Sequence, residues 1–225
     1  LAYFKKWNLV NFVANFATVV LYMAWIIDII FDEKVLPHPG ALVFATAFYL
    51  VFFLMNIINN VKENSKFTAF EFIMVITNTF LYYWAGMLII DKMSPDYTGL
   101  FTIVLAVFNF AFAFPLYRNK QIDKNLVFLL SGLVLTFTSI AVPVQFKGNY
   151  ITMFWAAEMV LLFWLGQLSG IRLMKLASHL VFGLMLISLI MDWDQVYFYT
   201  SLDGDVLPLI INTGFITGLI TVSAI

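Results

Sequence analysis

The sequence predicts an all-α, polytopic integral membrane protein with about eight transmembrane helices in successive hairpins. Three observations carry this. Of the 225 residues, 63% are hydrophobic and only 11% charged, with a mean hydropathy of +0.94; a soluble domain is nearer half apolar and a quarter charged. One globular core cannot hide that excess, because a domain of this size keeps a large surface that needs polar cover. The apolar residues also fall into runs close to the roughly 20 residues needed to cross hydrocarbon. Finally, runs such as Leu100–Phe114 lack the dyad alternation of a membrane β-barrel, and an open sheet would leave its backbone unsatisfied in lipid.

The spans read as 8–31, 41–59, 68–90, 99–117, 126–145, 150–168, 173–191 and 208–225, one transmembrane domain over 1–225. The first span runs into Asp32 and Glu33, and the second opens beyond Pro37 and Pro39. The polar stretch 59–67 (NNVKENSKF) separates the second from the third, whose first turn holds Glu71. A carboxylate there suits the helix dipole. The loop 91–98 (DKMSPDYT) carries a Ser-Pro-Asp turn signal before the fourth span. Pro115 closes the fourth span, Pro143 lies near the end of the fifth, and Pro208 opens the eighth. Proline removes a helix donor, so helix ends tolerate it best. Between the seventh and eighth spans lies the longest loop, Asp192–Pro208, in which Asp192, Asp194, Asp203 and Asp205 read as a solvated acidic face. Its Tyr197, Phe198 and Tyr199 suggest a loop folded back on the membrane surface. Leu21-Tyr22 recurs as Leu81-Tyr82, and Ala24-Trp25 is echoed by Trp84-Ala85, at an offset of 60. This pattern fits either a parallel array of hairpins or chance matching in similar compositions.

Charge sets the orientation. On the side of the N-terminus the loops carry Lys5, Lys6, Lys62, Lys66, Arg118, Lys120, Lys124, Arg172 and Lys175, nine of the 12 basic residues. The opposite side carries Lys34, Lys92 and Lys147 and most of the acids. The positive-inside rule then puts the N-terminus in the cytoplasm, and eight spans return the C-terminus there. The chain starts at Leu1 and stops at Ile225 within an apolar run, and reads as a piece of a longer protein.

Several function classes drop out. A net charge of −1 gives no global field toward nucleic acid. Absence of cysteine removes disulfides, thiol catalysis and cysteine-ligated clusters. No P-loop, H-E-x-x-H or G-x-S-x-G motif occurs, no Ser/His/Asp set shares one membrane depth, and no cofactor or metal is expected.

Among the charged residues, Glu158 alone lies well inside a span, in Trp155-Ala156-Ala157-Glu158, about 12 Å from the nearer end. A carboxylate there costs roughly 2.5 kcal/mol or more on insertion scales, so it pairs, stays protonated or faces water. It reads either as a proton or cation site or as a protonated group bonded to a neighbouring helix. No second carboxylate is expected at its depth. Asp28, just inside the first span, reads as an interface residue. His179 reads as a packing residue, and Arg172 and Lys175 as headgroup contacts. Asn11, Asn15, Asn56, Asn78, Asn109, Ser131, Thr136, Thr138 and Asn212 read as helix glue. Trp7, Trp193, Tyr117 and Tyr150 fit aromatic belts, while Trp84, Trp155 and Trp164 read as packing.

From Ala141 onward the sequence resembles a bacterial family described as predicted membrane protein, domain of unknown function two-three-three-nine. The likeness rests on Val142-Pro143-Val144-Gln145, the Trp155–Glu158 core, Leu165-Gly166 and Arg172, and is strongest over 141–217. Asn212-Thr213-Gly214-Phe215-Ile216-Thr217 keeps the Asn, Phe and Thr of a later family motif but has Gly214 where the family tends to Arg. The resemblance implies a multi-pass protein of the bacterial inner membrane, and Gln145, Trp155, Glu158 and Arg172 as family-typical positions. It implies no reaction.

These readings lead to a permease-like role for a small molecule or envelope precursor, with Glu158, Trp155, Gln145 and Asp28 as candidate substrate- or proton-binding residues. The alternative is an assembly scaffold in which the same groups hold helices together. A membrane enzyme is the weakest reading, because it needs a paired acid and base. The expected partners are membrane lipids and other subunits of an envelope complex, not nucleic acid.

Overall fold

In a computed structural model, the described residues are 8–31, 38–63, 66–119, 122–199 and 212–225. They are almost wholly helical and contain no strand: α1 (Asn8–Phe31), α2 (His38–Glu63), α3 (Ala69–Met93), α4 (Thr98–Arg118), α5 (Lys124–Gln145), α6 (Asn149–Ser169), α7 (Arg172–Trp193) and α8 (Thr213–Ala224). A 3₁₀ turn at Pro95–Tyr97 leads into α4, and a π-helical turn at Asp194–Tyr199 prolongs α7. Lys5, Lys6, Trp7, Asp32, Glu33, Lys34, Pro37, Lys120, Asp203, Asp205 and Pro208 lie outside the described residues.

Seven of the described helices are long and apolar enough to cross a membrane. The described part of the expected eighth span is α8, with 12 residues; at 1.5 Å per residue it reaches about 18 Å, short of the roughly 30 Å hydrocarbon thickness. Large apolar side chains are exposed along α1, α4 and α7, among them Phe16, Leu21, Val104, Val107, Leu176 and Leu180. Such a continuous apolar exterior suits lipid rather than water. The protein is therefore a polytopic all-α membrane protein.

The chain divides into two compact units, Leu1–Val134 and Leu135–Ile225, with the boundary inside α5. In the first unit, α2 packs on α3, which also meets α1 and α4. A small apolar core of Ile26, Ala41, Ala85 and Ile89 joins α1, α2 and α3. Asparagines staple them further: Asn11 Nδ2 donates to Asn56 Oδ1 at 3.1 Å, and Asn15 Nδ2 to Asn78 Oδ1 at 3.2 Å. Both tyrosines of the weak repeat reach α2. Tyr22 donates to the Ala41 carbonyl at 2.5 Å, and the Tyr82 hydroxyl lies 3.0 Å from Thr46 Oγ1. Glu71 completes a capping box with Thr68 at the start of α3 and also accepts from Asn60 Nδ2 at 2.9 Å. Asp123 accepts from the Phe67 amide at 2.7 Å and from Asn125 N at 2.9 Å, tying the α2–α3 connection to the start of α5.

In the second unit α6 and α7 form a tightly packed hairpin. Gly170 makes its turn possible: it sits at φ 67°, ψ 8°, and its amide bonds the Gly166 carbonyl at 3.1 Å. This left-handed cap suits a residue without Cβ. Gly166 is itself a close-approach position, since a Cβ there would lie 3.2 Å from the Lys175 backbone nitrogen. The helix α8 packs on α6 and α7, held by Trp193 Nε1 to the Gly214 carbonyl (3.2 Å) and Asn149 Nδ2 to Thr217 Oγ1 (2.8 Å).

Candidate functional site

The second unit holds two buried carboxylates, one on α6 and one on α7. Glu158 is 8% exposed. Ser139 of α5 donates to its Oε1 at 2.6 Å, while Oε2 is buried without a hydrogen-bond partner. Trp155, one turn earlier on α6, donates its indole N–H to the Ser139 carbonyl at 3.1 Å. Ser139 thus touches both residues of the Trp-Ala-Ala-Glu core: its carbonyl orients the indole and its hydroxyl the carboxylate.

The second carboxylate corrects an expectation. Asp192 is neither a loop residue nor part of a solvated face; it is 4% exposed and belongs to the last turn of α7. Thr152 Oγ1, fully buried on α6, donates to Asp192 Oδ2 at 2.5 Å and lies 2.6 Å from Ser188 Oγ. Helix α7 runs on past Asp192 into the π turn, with Asp192 Oδ2 bonded by the Thr152 hydroxyl of α6, and Tyr197 in the π turn donates to Asn212 Oδ1 at 3.1 Å. Asp194 remains exposed.

A cavity of about 660 Å³ opens where α6 begins and α7 ends. Its wall includes Trp155, Ser188, Asp192, Asp194 and Gln195. Volumes of roughly 300–1,000 Å³ are usual for small-molecule sites. From this cavity Trp155 leads through Ser139 to Glu158.

The other candidates stand apart from this group. Gln145 ends α5 with an exposed side chain and does not line the cavity. Asp28 is exposed on α1, in the first unit. His179 is exposed rather than packed, with Nδ1 2.6 Å from the Lys175 carbonyl oxygen. Trp84 and Trp164 are also not packing residues, being 46% and 59% exposed; in a lipid-facing wall an indole needs no protein cover. In the first unit, Tyr49 lies beside Thr79 and Asn109, yet its hydroxyl, Thr79 Oγ1 and Asn109 Oδ1 are buried without hydrogen-bond partners. An aromatic stack of Tyr49, Tyr82, Phe53 and Phe108 surrounds this cluster.

Thr152 and Ser188 went unnoticed in the sequence. Ser188 stands four residues before Asp192, a spacing that shares a helix face. Thr152 is on another helix, 40 residues from Asp192.

The sequence profile of the family described as "Predicted membrane protein (DUF2339)" matches residues 1–210. The chain belongs to this family. The match takes in the hairpins upstream of Ala141 and contains Gln145, Trp155, Glu158, Arg172 and Asp192. It ends before the Asn212–Thr217 segment, which caps and opens α8. No curated protein and no solved structure matches the chain.

Proposed function

We propose that this DUF2339 chain is part of a permease-like protein of a bacterial inner membrane, with its N-terminus cytoplasmic. It would move a small molecule or an envelope precursor. The orientation is supported by the concentration of basic residues in the N-terminal-side loops. In that orientation the cavity would open on the outer side, where α6 begins and α7 ends. One observation carries the transport reading: a cavity lined by the buried Asp192 connects through Trp155 and Ser139 to an incompletely bonded Glu158. Intramembrane ionisable groups facing an internal space are the usual marks of substrate and proton pathways. Asp192 and Ser188 form the entry site in this reading, and Glu158 the coupling group.

The scaffold reading has its own support in the first unit, where Asn11–Asn56 and Asn15–Asn78 pair across helices as glue. Water access separates the two. The chain has no cysteine, so single cysteines at 155, 158, 160, 164 and 188 can be challenged with a membrane-impermeant thiol reagent. The labelling would be done in the full-length protein, with any other cysteines replaced, from each side of the membrane. Labelling at 188, 155 and 158 from the outer side, with the exposed apolar-face positions 160 and 164 silent, is the expected pattern. If 158 stays unlabelled from both sides, Glu158 is buried glue and the transport reading fails.

A further inference from the structure

We propose that the cavity of the second unit takes an organic cation, a primary ammonium group on an apolar body, seated with its head on Asp192. The inference rests on reading this cavity as a substrate site, and it deepens that reading by naming the substrate class.

Thr152 has a single hydroxyl proton, and the carboxylate of Asp192 can only accept it. The 2.6 Å contact between Thr152 and Ser188 must then have Ser188 as donor. Ser188 therefore has no proton left for a guest, and its oxygen keeps lone-pair capacity. The Trp155 N–H is already bonded to the Ser139 carbonyl. Of the polar side chains that line the cavity among the described residues, only the Gln195 amide retains N–H groups to offer.

The acceptors are plentiful by comparison. Thr152 is the one hydrogen-bond donor to Asp192 among the described residues, and it uses Oδ2. Oδ1 has no such partner, although the residue is 96% buried by its 4% exposure and lines the cavity. Asp194 adds a second carboxylate at the rim, and among the described residues no Lys, Arg or His belongs to the lining. A phosphate or carboxylate head would meet two like charges and almost no donors. An ammonium head would give Asp192 Oδ1 a charge-assisted bond and has protons to spare for Ser188 and Asp194. The rest of the wall, including Ile151, Leu184, Ile187 and Met191, is apolar and suits a hydrocarbon body.

The test uses the full-length protein in lipid nanodiscs and four phenyl-bearing probes of similar size. These are phenethylammonium, its trimethylated form without N–H groups, neutral phenethyl alcohol, and hydrocinnamate. Equilibrium dialysis at neutral pH should show saturable binding of phenethylammonium, with the alcohol and the carboxylate weaker by about tenfold or more. The trimethylated probe should fall between. Asp192→Asn should weaken phenethylammonium by about tenfold. Because Asp192 also holds Thr152, two variants away from that bond guard against misfolding. Asp194→Asn should weaken the probe by a few-fold, and Ile187→Trp should block it by filling the cavity. Hydrocinnamate binding as tightly as phenethylammonium would overturn the proposal. So would an ammonium affinity unchanged in all three variants.

Failure here is distinct from failure of the transport reading. Binding in nanodiscs needs no water path to residue 158. Ammonium binding with 158 unlabelled would leave this inference standing and remove the permease. Labelling at 158 with no ammonium binding would do the reverse.

Discussion

Replacing Thr152 by valine is the sharpest probe of the α6–α7 pairing. The side chain is fully buried, and valine keeps its branched shape while removing the hydroxyl. Two hydrogen bonds disappear, to Asp192 Oδ2 and from Ser188 Oγ. Such bonds within membranes are worth about 0.6 kcal/mol on average and up to about 1.7 kcal/mol. A buried carboxylate oxygen left unpaired adds roughly 1–3 kcal/mol. The expected loss is therefore about 2–4 kcal/mol. Adding Asp192→Leu should recover about 1–2 kcal/mol of it, because removing both partners costs less than stranding one. Reversible unfolding by steric trapping in bicelles gives all four corners of the cycle. Single-variant effects that add to within about 0.5 kcal/mol would mean the two residues are not coupled, and the geometry assigned to this pair would be wrong.

Substitutions at four other positions test separate features. Gly166→Val should separate α6 from α7 and cost about 1–3 kcal/mol, since even a Cβ would press on the Lys175 backbone. Gly183→Ala, with nothing within 4 Å of the added carbon, should be neutral or stabilising by up to about 1 kcal/mol in the same unfolding measurement. Glu71→Ala removes acceptors from the Thr68 amide, the Thr68 hydroxyl and Asn60. It should destabilise by about 2–4 kcal/mol, with Glu71→Gln near half of that, because glutamine can still close a capping box. Glu158→Gln keeps an acceptor for Ser139 and should change stability by less than about 1 kcal/mol. It should also abolish phenethylammonium-driven pH change in proteoliposomes if Glu158 couples transport; unchanged flux would free Glu158 of that role.

The helices were legible because each long apolar run has only one solution in lipid, a helix with all its backbone bonds internal. Glu158 was legible for the complementary reason: a lone charge in such a run demands an explanation. Asp192 was misread because hydropathy treats Asp192-Trp193-Asp194 as a break, although its neutral-looking neighbour Ser188 shared the face. What kept the residue inside the helical packing was a hydroxyl on a different helix, and no spacing along one chain encodes that. The tryptophans failed for another reason. Between helices in lipid there is no hydrophobic force to separate protein-facing from lipid-facing indoles, so Trp84 and Trp164 carry the same signal as Trp155. Of these three, Trp155 is the one with a hydrogen-bond partner among the described residues, the Ser139 carbonyl.

The polar residues of the two units differ in what surrounds them, and that difference is the best guide to where function resides. In the first unit they meet across helices over 45 and 63 positions of sequence, as Asn11–Asn56 and Asn15–Asn78 do. The orphaned oxygens of Tyr49, Thr79 and Asn109 lie within an aromatic core. Those features fix helix register, and the cavity beside Tyr49 and Asn78, about 30 Å³, has room for little more than a water molecule. In the second unit Asp192, Ser188 and Trp155 border a cavity, and Glu158 lies one residue behind it through Ser139. Glue and site thus use the same residue types in lipid; what separates them is whether the unfilled bonding capacity faces protein or space. On that criterion the acceptor-lined space between α6 and α7, rather than the asparagine ladder, is where a ligand would add bonds the protein does not already make.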